Sequence, residues 1–277
     1  MGESFLSLVV DEVARALEED IGSGDCTAML IPGANELQTR LVCRERAVLC
    51  GKPWFEETFR QLDTGIAISW FAGDGDNITA DQEICRIEGP ARALLSGERT
   101  AINFLQTLSG TATRARQYVD AVAGTGVTIL DTRKTLPGLR LAQKYAVRCG
   151  GAENHRTGLF DAILIKENHI SAAGSIKAAV KESHRKFPDL LCEVEVENLE
   201  QLEQACLAGA QRALLDNFDN DQLTGAVTRY KGKIGLEASG GVTLETIRQT
   251  AETGVDFISV GDITKSVRAT DFSMRFV

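Results

Sequence analysis

The sequence predicts an α/β protein whose C-terminal part is a parallel (β/α) barrel, and three observations lead to this fold class. From about residue 127 onward, short apolar runs alternate with stretches of helical character, which is typical of βαβ units. Each run leads directly into polar residues, and barrels carry their chemistry at the C-terminal ends of their strands. The dinucleotide fingerprint GxGxxG is absent from the chain, which disfavours a Rossmann fold.

The first hundred residues predict a small α+β domain. Residues 1–20 place apolar side chains at every fourth position, as an amphipathic helix does, and they lack the basic region and cleavage site of a signal peptide. Strand-like runs follow at 37–43, 66–71 and 83–88. The segment 91–120 is helical in character, with Gly110 as a break. We therefore expect one domain over 1–110, with its linking helices, and a barrel domain over 111–277.

The barrel strands are predicted at the apolar runs 127–130, 162–165, 190–196, 212–215, 233–238 and 256–260. The clearest helices are predicted at 175–186, 199–208, 219–230 and 243–253. Glu193, Glu195 and Glu197 alternate along the third strand, so their side chains are expected on one face. A strand in the middle of a barrel accommodates such a row only where it faces a polar barrel mouth.

Composition limits the classes of partner and the cell compartment. The formal net charge of −9 argues against nucleic-acid binding and against attachment to an anionic membrane surface. The longest apolar runs are strand-sized and too short for a membrane span. The seven cysteines are odd in number and contain no CxxC pair, which favours reduced thiols in a cytoplasmic protein over disulfides or a zinc site.

A basic segment stands out in this acidic chain. Between residues 133 and 166 there are seven Lys or Arg residues and two acidic residues, which indicates a small anionic ligand. Arg140, Lys144 and Arg148 recur at four-residue spacing and are explained as a solvated helix face. The cations at strand ends and in loops are instead expected to bind the anion: Arg133, Lys134, Arg156 and Lys166. His155 is either a structural hydrogen-bonding residue or a member of the same site.

Two carboxylates end successive strands and should be neighbours on the barrel rim. Glu195 and Asp216 suit Mg²⁺, which binds a few carboxylates together with substrate phosphates and water. They could also accept hydrogen bonds from ribose hydroxyl groups. In an empty site, each could pair with Lys134 or Lys166.

Glycine-rich turns follow the last two predicted strands. Ser239-Gly240-Gly241 leads into a helix expected to begin near Thr243, and Val260-Gly261-Asp262 follows the next strand. Backbone N–H groups at a helix N-terminus attract anions, and the corresponding loops of barrels are the usual phosphate site. We therefore expect a phosphate group at these turns.

Long segments of this chain resemble the quinolinate phosphoribosyltransferase family. They cover nearly the whole chain: EDIGSGDCT (19–27), LLSGERTAINFLQTLSGTAT (94–113), DTRKTLPGLR with KYAVRCGGAENHR (131–156), DAILIKENHI (161–170), EVEVENLEQ (193–201), LLDNF (214–218), ASGGVT (238–243) and TGVDFISVGDITKS (253–266). The resemblance implies a TIM-like open α/β barrel after an N-terminal α/β sandwich, and it leaves room for the last residues to return to the first domain.

The resemblance also implies a glycosyltransferase of the pentosyltransferase class. Its reaction joins quinolinate to phosphoribosyl pyrophosphate with Mg²⁺, and releases pyrophosphate and CO₂ to give nicotinate mononucleotide for NAD biosynthesis. The implied assembly is a homodimer in which Arg99, within the segment GERT, reaches the partner's active site. The resemblance implies catalytic roles for Lys134, Lys166, Glu195 and Asp216, of which Glu195 and Asp216 contact ribose and Mg²⁺. It implies that the carboxylates and phosphates are bound by Thr132, Arg133, Lys134, His155, Arg156 and Lys166. It implies that the 5′-phosphate is bound by Ser239, Gly240, Gly241, Val260, Gly261 and Asp262.

Two other functions remain open at this point. The first is a related transferase that accepts another acid, such as nicotinate, without decarboxylation. The second is a non-catalytic barrel that senses a phosphorylated ligand. Glu195 and Asp216 argue against the sensor, because phosphate capture gains nothing from two carboxylates.

Overall fold

A computed structural model describes residues 3–276, and the chain divides into two compact units. The first unit contains the residues up to Thr113 together with those from Val267 onward, and the second contains Arg114–Ser266. Over the described residues, no helix is both long enough and apolar enough to span a membrane.

The first unit contains α1 (Glu3–Ile21), β1 (Glu36–Cys43), β2 (Ala47–Val48), α2 (Lys52–Leu62), β3 (Ala67–Trp70), β4 (Asn77–Ile78), β5 (Gln82–Pro90) and the first part of α3 (Ala91–Ala121). The second unit contains β6 (Thr128–Leu130), α4 (Arg140–Cys149), β7 (Ile163–Ile165), α5 (Glu167–Ala173), α6 (Ile176–Lys186), β8 (Cys192–Val196), α7 (Leu199–Ala208), β9 (Arg212–Asp216), α8 (Asn220–Tyr230), β10 (Gly235–Ser239), α9 (Ile247–Glu252), β11 (Phe257–Ser259) and α10 (Asp262–Lys265). The chain then returns to the first unit as β12 (Phe272–Phe276).

The first unit is built on an antiparallel sheet in the order β12-β1-β5-β3. The predicted helix at the start of the chain is confirmed as α1, whose stripe of Val9, Val13 and Leu17 is buried. The ring of Phe5 meets that of Trp54 on α2 edge to face, with centroids 5.6 Å apart. Helices packed with an antiparallel sheet confirm the expected α+β class of this part of the chain.

The predicted break at Gly110 is wrong, because α3 is one continuous helix from Ala91 to Ala121. Gly110 serves a close contact instead: a Cβ atom there would lie 2.1 Å from the carbonyl oxygen of Arg268. The N–H of Thr270 donates a hydrogen bond to the carbonyl of Gln106, 3.0 Å away. The glycine therefore lets the returning C-terminal segment cross the helix.

The second unit confirms the predicted parallel barrel. Between residues 114 and 266, six parallel strands form one sheet in the order β6-β11-β10-β9-β8-β7, with an apolar core under the helices. Each strand lies within two residues of its predicted position. The edge strands β6 and β7 are not paired with each other in the described chain, so the barrel is open there. An isolated parallel bridge between Leu130 and Glu153 lays the segment 153–156 beside β6.

Candidate active site

A cavity of about 450 Å³ opens at the C-terminal ends of the barrel strands. Its lining combines residues that the sequence predicted with residues that it did not. The predicted ones are Thr132, Arg133, Lys134, His155, Arg156, Lys166, Glu195, Asp216 and Ser239. The others are Leu164, Leu214, Glu237 and Ser259.

Three of the strands supply this lining as pairs of residues that lie two positions apart. Leu164 and Lys166 come from the end of β7, Leu214 and Asp216 from β9, and Glu237 and Ser239 from β10. Alternate residues of a strand lie on the same face, so when one residue faces the cavity, the residue two positions away faces it too. Glu237 could have been predicted from the sequence in this way, because it lies two residues before Ser239. It is also a charged residue within an otherwise apolar strand, which is a visible signal in the sequence.

Cations form one part of the cavity wall. The Nε atom of Arg133 is buried and has no hydrogen-bond partner within residues 3–276. Burial, and then the neighbouring Arg133, lower the pKa of the Arg156 guanidinium. Two partly buried like charges that repel each other are balanced when an anion binds between them, so this wall is suited to a carboxylate or a phosphate.

The turn that carries these cations is held by short polar contacts. The backbone N–H of Lys134 donates to the hydroxyl of Thr132 at 3.1 Å, and the hydroxyl of Thr264 donates to the carbonyl of Lys134 at 2.8 Å. A Cβ atom on Gly261 would lie 3.1 Å from Cδ of Lys134. Gly261 therefore leaves room for the lysine side chain beside the cavity.

Carboxylates form another part of the wall. The ammonium group of Lys166 is paired with the carboxylate of Glu195, so the alternative left open by the sequence is realised for this residue. Asp216 differs, because its carboxylate accepts a hydrogen bond from the amide of Asn217 at 3.0 Å and has no ion pair in the described part of the chain. Of the two predicted carboxylates in this wall, Glu195 is therefore neutralised within the protein and Asp216 is not.

The glycine-rich turn after β10 differs from the prediction. α9 begins at Ile247, not near Thr243, so Gly240 and Gly241 do not stand at a helix N-terminus. Both glycines instead have left-handed backbone, with φ of 103° and 61°. A Cβ atom on Gly240 would lie 2.1 Å from Oδ1 of Asn217, so only glycine allows the turns after β9 and β10 to pass so closely.

The turn after β11 also differs in part. The carboxylate of Asp262 accepts hydrogen bonds from Arg114 at 2.6 and 2.8 Å and from Tyr118 at 3.0 Å, so its side chain faces α3. The N–H of Val260 donates to the carbonyl of Leu130 at 2.9 Å. The carboxylate of Asp262 and the N–H of Val260 are therefore engaged within the protein and are not offered to a phosphate, whereas Gly261 lies beside Lys134.

His155 proves to be a hydrogen-bonding residue of the cavity floor. Its Nδ1 accepts the backbone N–H of Arg156 at 2.8 Å, and its Nε2 lies 2.9 Å from Glu193 and 3.5 Å from Glu237. An Nδ1 that accepts a hydrogen bond leaves the proton on Nε2, which then donates to the carboxylates. Both ring nitrogens are thus engaged inside the protein, and the expected direct hold on a substrate carboxylate is not available in this geometry.

Glu193 and Glu237 form a buried carboxyl pair, of which Glu237 lines the floor of the cavity. Burial raises the pKa of each to about 7, and on each the Oε1 atom is buried without a hydrogen-bond partner in the described chain. Arg212 partly offsets the charge, at 3.2 Å from Glu237. Together with His155 the two carboxyls have the spacing of metal ligands, but the tautomer of the histidine presents a proton and not a lone pair to that space. The cluster is therefore suited to holding a proton.

Glu237→Gln should flatten the dependence of stability on pH. A carboxyl whose folded pKa is raised stabilises the fold fully below its unfolded pKa near 4.5, and that stability is lost as the pH rises through about 7. The free energy of unfolding of the wild type should fall over this window by up to about 1.4 kcal/mol per pH unit and per titrating proton. Urea unfolding between about pH 5 and pH 8 measures the slope.

Glu182→Gln is the matched control for this measurement. Glu182 is exposed on α6, and hydrogen bonds from Arg185 and Lys186 lower its pKa to about 2, so it stays ionised over the whole window. The control should keep the slope of the wild type. Equal slopes for all three proteins would contradict the protonation assigned to Glu237.

Arg99 lies in the first unit, on α3, and its side chain is exposed. It makes no ion pair or hydrogen bond within residues 3–276. Burial raises the pKa of the neighbouring Glu98, and the charge of Arg99 partly offsets this rise. An exposed arginine with an unused guanidinium group is available to a ligand or to another chain.

Two family profiles match the chain. The profile described as quinolinate phosphoribosyl transferase, N-terminal domain, matches residues 25–109. The profile described as quinolinate phosphoribosyl transferase, C-terminal domain, matches residues 111–275. Together they cover most of the chain.

Relatives and solved structures agree with these profiles. The probable nicotinate-nucleotide pyrophosphorylase (carboxylating) of Bacillus subtilis is 42% identical over 257 residues, which are 92% of this chain and 89% of that protein. The human nicotinate-nucleotide pyrophosphorylase (carboxylating) is 39% identical over 90% of this chain and 85% of its own. The solved structure of the nicotinate-nucleotide pyrophosphorylase from Francisella tularensis superposes with a TM-score of 0.95 at 44% identity, covering 98% of this chain and 97% of that one.

Proposed function

The chain belongs to the quinolinate phosphoribosyltransferase family, and from this premise we propose how its barrel cavity carries out the family's reaction. The protein is a pentosyltransferase that joins quinolinate to the phosphoribosyl group of phosphoribosyl pyrophosphate. Pyrophosphate and CO₂ leave, and nicotinate mononucleotide is formed for NAD biosynthesis.

One observation supports this assignment most strongly: cations and carboxylates share a single cavity. Arg133 and Arg156 present partly buried positive charge, while Glu195 and Asp216 stand on neighbouring strand ends. The two arginines suit the two carboxylates of quinolinate, and Lys134 and Lys166 in the same cavity suit the phosphates of its partner substrate. A sensor of phosphorylated ligands needs the cations alone, whereas a transferase also needs negative charge beside the ribose.

The carboxylates and lysines complement the charges that develop in the reaction. When pyrophosphate leaves, positive charge grows at C1 of the ribose and negative charge grows on the leaving group. Glu195 and Asp216 can stabilise the first, and Lys134 and Lys166 the second. Lys166 and Glu195 are paired with each other across this wall, so the substrates would have to separate them.

We propose that Glu195 and Asp216 hold Mg²⁺ together with the substrates. The donor set fits, because both groups supply carboxylate oxygen and line one cavity, but two side chains alone make no complete site for Mg²⁺. The pyrophosphate group and water would supply the remaining oxygens. When bound there, Mg²⁺ would contribute positive charge beside the phosphates.

Decarboxylation follows from the first step. Once the ring nitrogen carries the ribose, the ring is cationic and can accept the electron pair released when the bond from C2 to its carboxylate breaks. CO₂ leaves, and C2 then takes up a proton. Arg133 and Arg156 must therefore orient the dicarboxylate without binding the departing carboxylate so tightly that it cannot leave.

We also propose a homodimer in the cytoplasm, with Arg99 of each chain completing the partner's cavity. The exposed guanidinium of Arg99, which is unpaired within the described residues, supports the homodimer with a shared cavity. The seven cysteines, odd in number and without a CxxC pair, support the location in the cytoplasm.

The decisive experiment for the reaction uses purified protein with quinolinate, phosphoribosyl pyrophosphate and Mg²⁺. Release of CO₂ and formation of nicotinate mononucleotide are expected in equal amounts. Turnover of nicotinate without turnover of quinolinate would overturn the assignment in favour of the related non-decarboxylating transferase.

Quinolinate should bind more than tenfold more tightly than nicotinate, a difference of about 1.4 kcal/mol or more. The second carboxylate of quinolinate finds a further desolvated cation, which nicotinate leaves unpaired. Calorimetry with both acids measures the ratio, and Arg156→Met should narrow it because one cation is removed. Equal affinity of the wild type for the two acids would contradict the prediction.

A further inference from the structure

At the open edge of the barrel, the segment that carries His155 and Arg156 is not part of a strand, so a strand ladder does not hold it in place. A single bridge holds it to β6: the N–H of Asp131 donates to Glu153 at 3.1 Å, and the N–H of Glu153 donates to Ile129 at 2.9 Å. Arg156 and Arg133 repel each other across this edge. Something beyond one bridge must fix the distance between the two cations.

Asp131 supplies the first half of that support. Its side chain is fully buried, and its Oδ1 accepts hydrogen bonds from the ammonium of Lys144 at 2.6 Å and from the N–H of His155 at 2.8 Å. Its Oδ2 accepts the amide of Asn154 at 2.8 Å. One carboxylate thus gathers three donors from α4 and from the 153–156 segment, two residues before Arg133.

Lys144 supplies the second half, and here the sequence prediction is wrong. Its side chain is only 4% exposed, while Arg148, one turn later on α4, is exposed as predicted. The ammonium of Lys144 also donates to the carbonyl of His155 at 2.8 Å, and the carbonyl of Lys144 accepts the amide of Asn154 at 3.0 Å. Arg140 is not simply solvated either, since it donates to Thr135 at 3.1 Å and to the carbonyl of Thr157 at 3.3 Å.

A buried ion pair of this kind is a poor way to gain stability. Burial raises the pKa of Asp131 and lowers that of Lys144, which shows that taking each charge out of water is unfavourable. Neutral residues of the same size often support a fold as well as a buried pair does. What the pair adds is geometry, because charged hydrogen bonds hold the backbone of His155 at both its N–H and its carbonyl.

We propose that Asp131 and Lys144 are positioning residues for the transfer reaction. They clamp the 153–156 segment against the strand end that carries Arg133, and so set the spacing between Arg133 and Arg156 to that of the substrate's two carboxylates. The inference rests on the proposed function, since it names what the clamped cations bind. Neither residue touches the substrate.

The double variant Asp131→Asn with Lys144→Met separates positioning from stability. It removes both buried charges while nearly keeping their size, so its melting temperature should return close to that of the wild type, above that of Lys144→Met alone. The KM for quinolinate should nevertheless rise tenfold or more, because the cations are no longer held. The KM for phosphoribosyl pyrophosphate should change less than threefold, and Arg148→Met should match the wild type in every measurement.

Asn154→Ala gives a second test that does not alter the buried charges. It removes the hydrogen bonds to Asp131 and Lys144, and should raise the KM for quinolinate severalfold in a stably folded protein. A stable double variant, or a stable Asn154→Ala, with the quinolinate KM of the wild type would overturn the positioning role while leaving the reaction assigned. A wild-type protein that neither binds nor turns over quinolinate would overturn the proposed function and this inference together.

Discussion

Glu195→Gln and Asp216→Asn should each lower kcat by about a hundredfold or more, equivalent to about 2.7 kcal/mol of transition-state stabilisation. The amides keep the shape of the carboxylates but carry no charge to oppose the positive charge at C1 of the ribose. Both variants should also need more Mg²⁺ for half-maximal rate. Initial rates over a range of Mg²⁺ concentrations, at saturating quinolinate, measure both effects.

The same two variants should leave quinolinate binding nearly intact, and they should differ from each other in a way that the structure specifies. Glu195 is paired with Lys166, so Glu195→Gln releases a positive charge and should bind quinolinate as well as the wild type or slightly better. Asp216 has no such partner in the described chain, so Asp216→Asn should change the affinity less. Calorimetry with quinolinate alone makes the comparison.

Glu197→Gln is the control on the same segment, because Glu197 lies just beyond β8 and is exposed. It should behave as the wild type in rate, in Mg²⁺ dependence and in affinity. Loss of quinolinate binding in Glu195→Gln or Asp216→Asn, with an unchanged rate at saturation, would reverse the roles assigned to the two sides of the cavity.

Arg99→Ala should be folded and dimeric but severely impaired in binding quinolinate. If the arginine completes the partner's carboxylate pocket, its loss leaves a desolvated carboxylate without a charged partner, at a cost of roughly 2–5 kcal/mol. The exposed side chain of Arg99 makes no contact that its own fold requires within residues 3–276, so the melting temperature should not change. Calorimetry, size-exclusion chromatography and thermal unfolding test the three parts of this prediction.

Mixed dimers show whether Arg99 acts across the subunit boundary. In a hybrid of Arg99→Ala with Lys134→Ala, one cavity would carry both lesions and the other would carry none, so up to half of the wild-type activity per hybrid should return. Each variant alone should remain nearly inactive after the same treatment. Absence of recovery after verified subunit exchange would mean that Arg99 acts within its own chain or has no part in the reaction.

Local pattern was sufficient for α1, for the six barrel strands and for most of the cavity lining, but it did not predict α2 or α5. The stripe of Val9, Val13 and Leu17 predicts α1, and the apolar runs predict the six barrel strands. These predictions hold because the spacing of apolar residues along the chain follows the spacing of the buried positions in each element. Parallel strands place their C-terminal ends at one rim, so polar residues that follow separate strands must converge there. This rule brings Lys166, Glu195 and Asp216 together although they are far apart in the chain.

Only the tertiary structure decided which polar residues are buried and what each one contacts. Lys144 and Arg148 have the same helical spacing, yet only Lys144 is covered, because the segment 153–156 packs over that turn of α4. Gly110 is predicted as a helix break and is a crossing point, since Arg268 approaches it from far along the chain. Periodicity reports which face of an element is buried, whereas the identity of the group that covers it depends on contacts between distant segments, and these decide whether a charge binds substrate, holds a loop or stays in water.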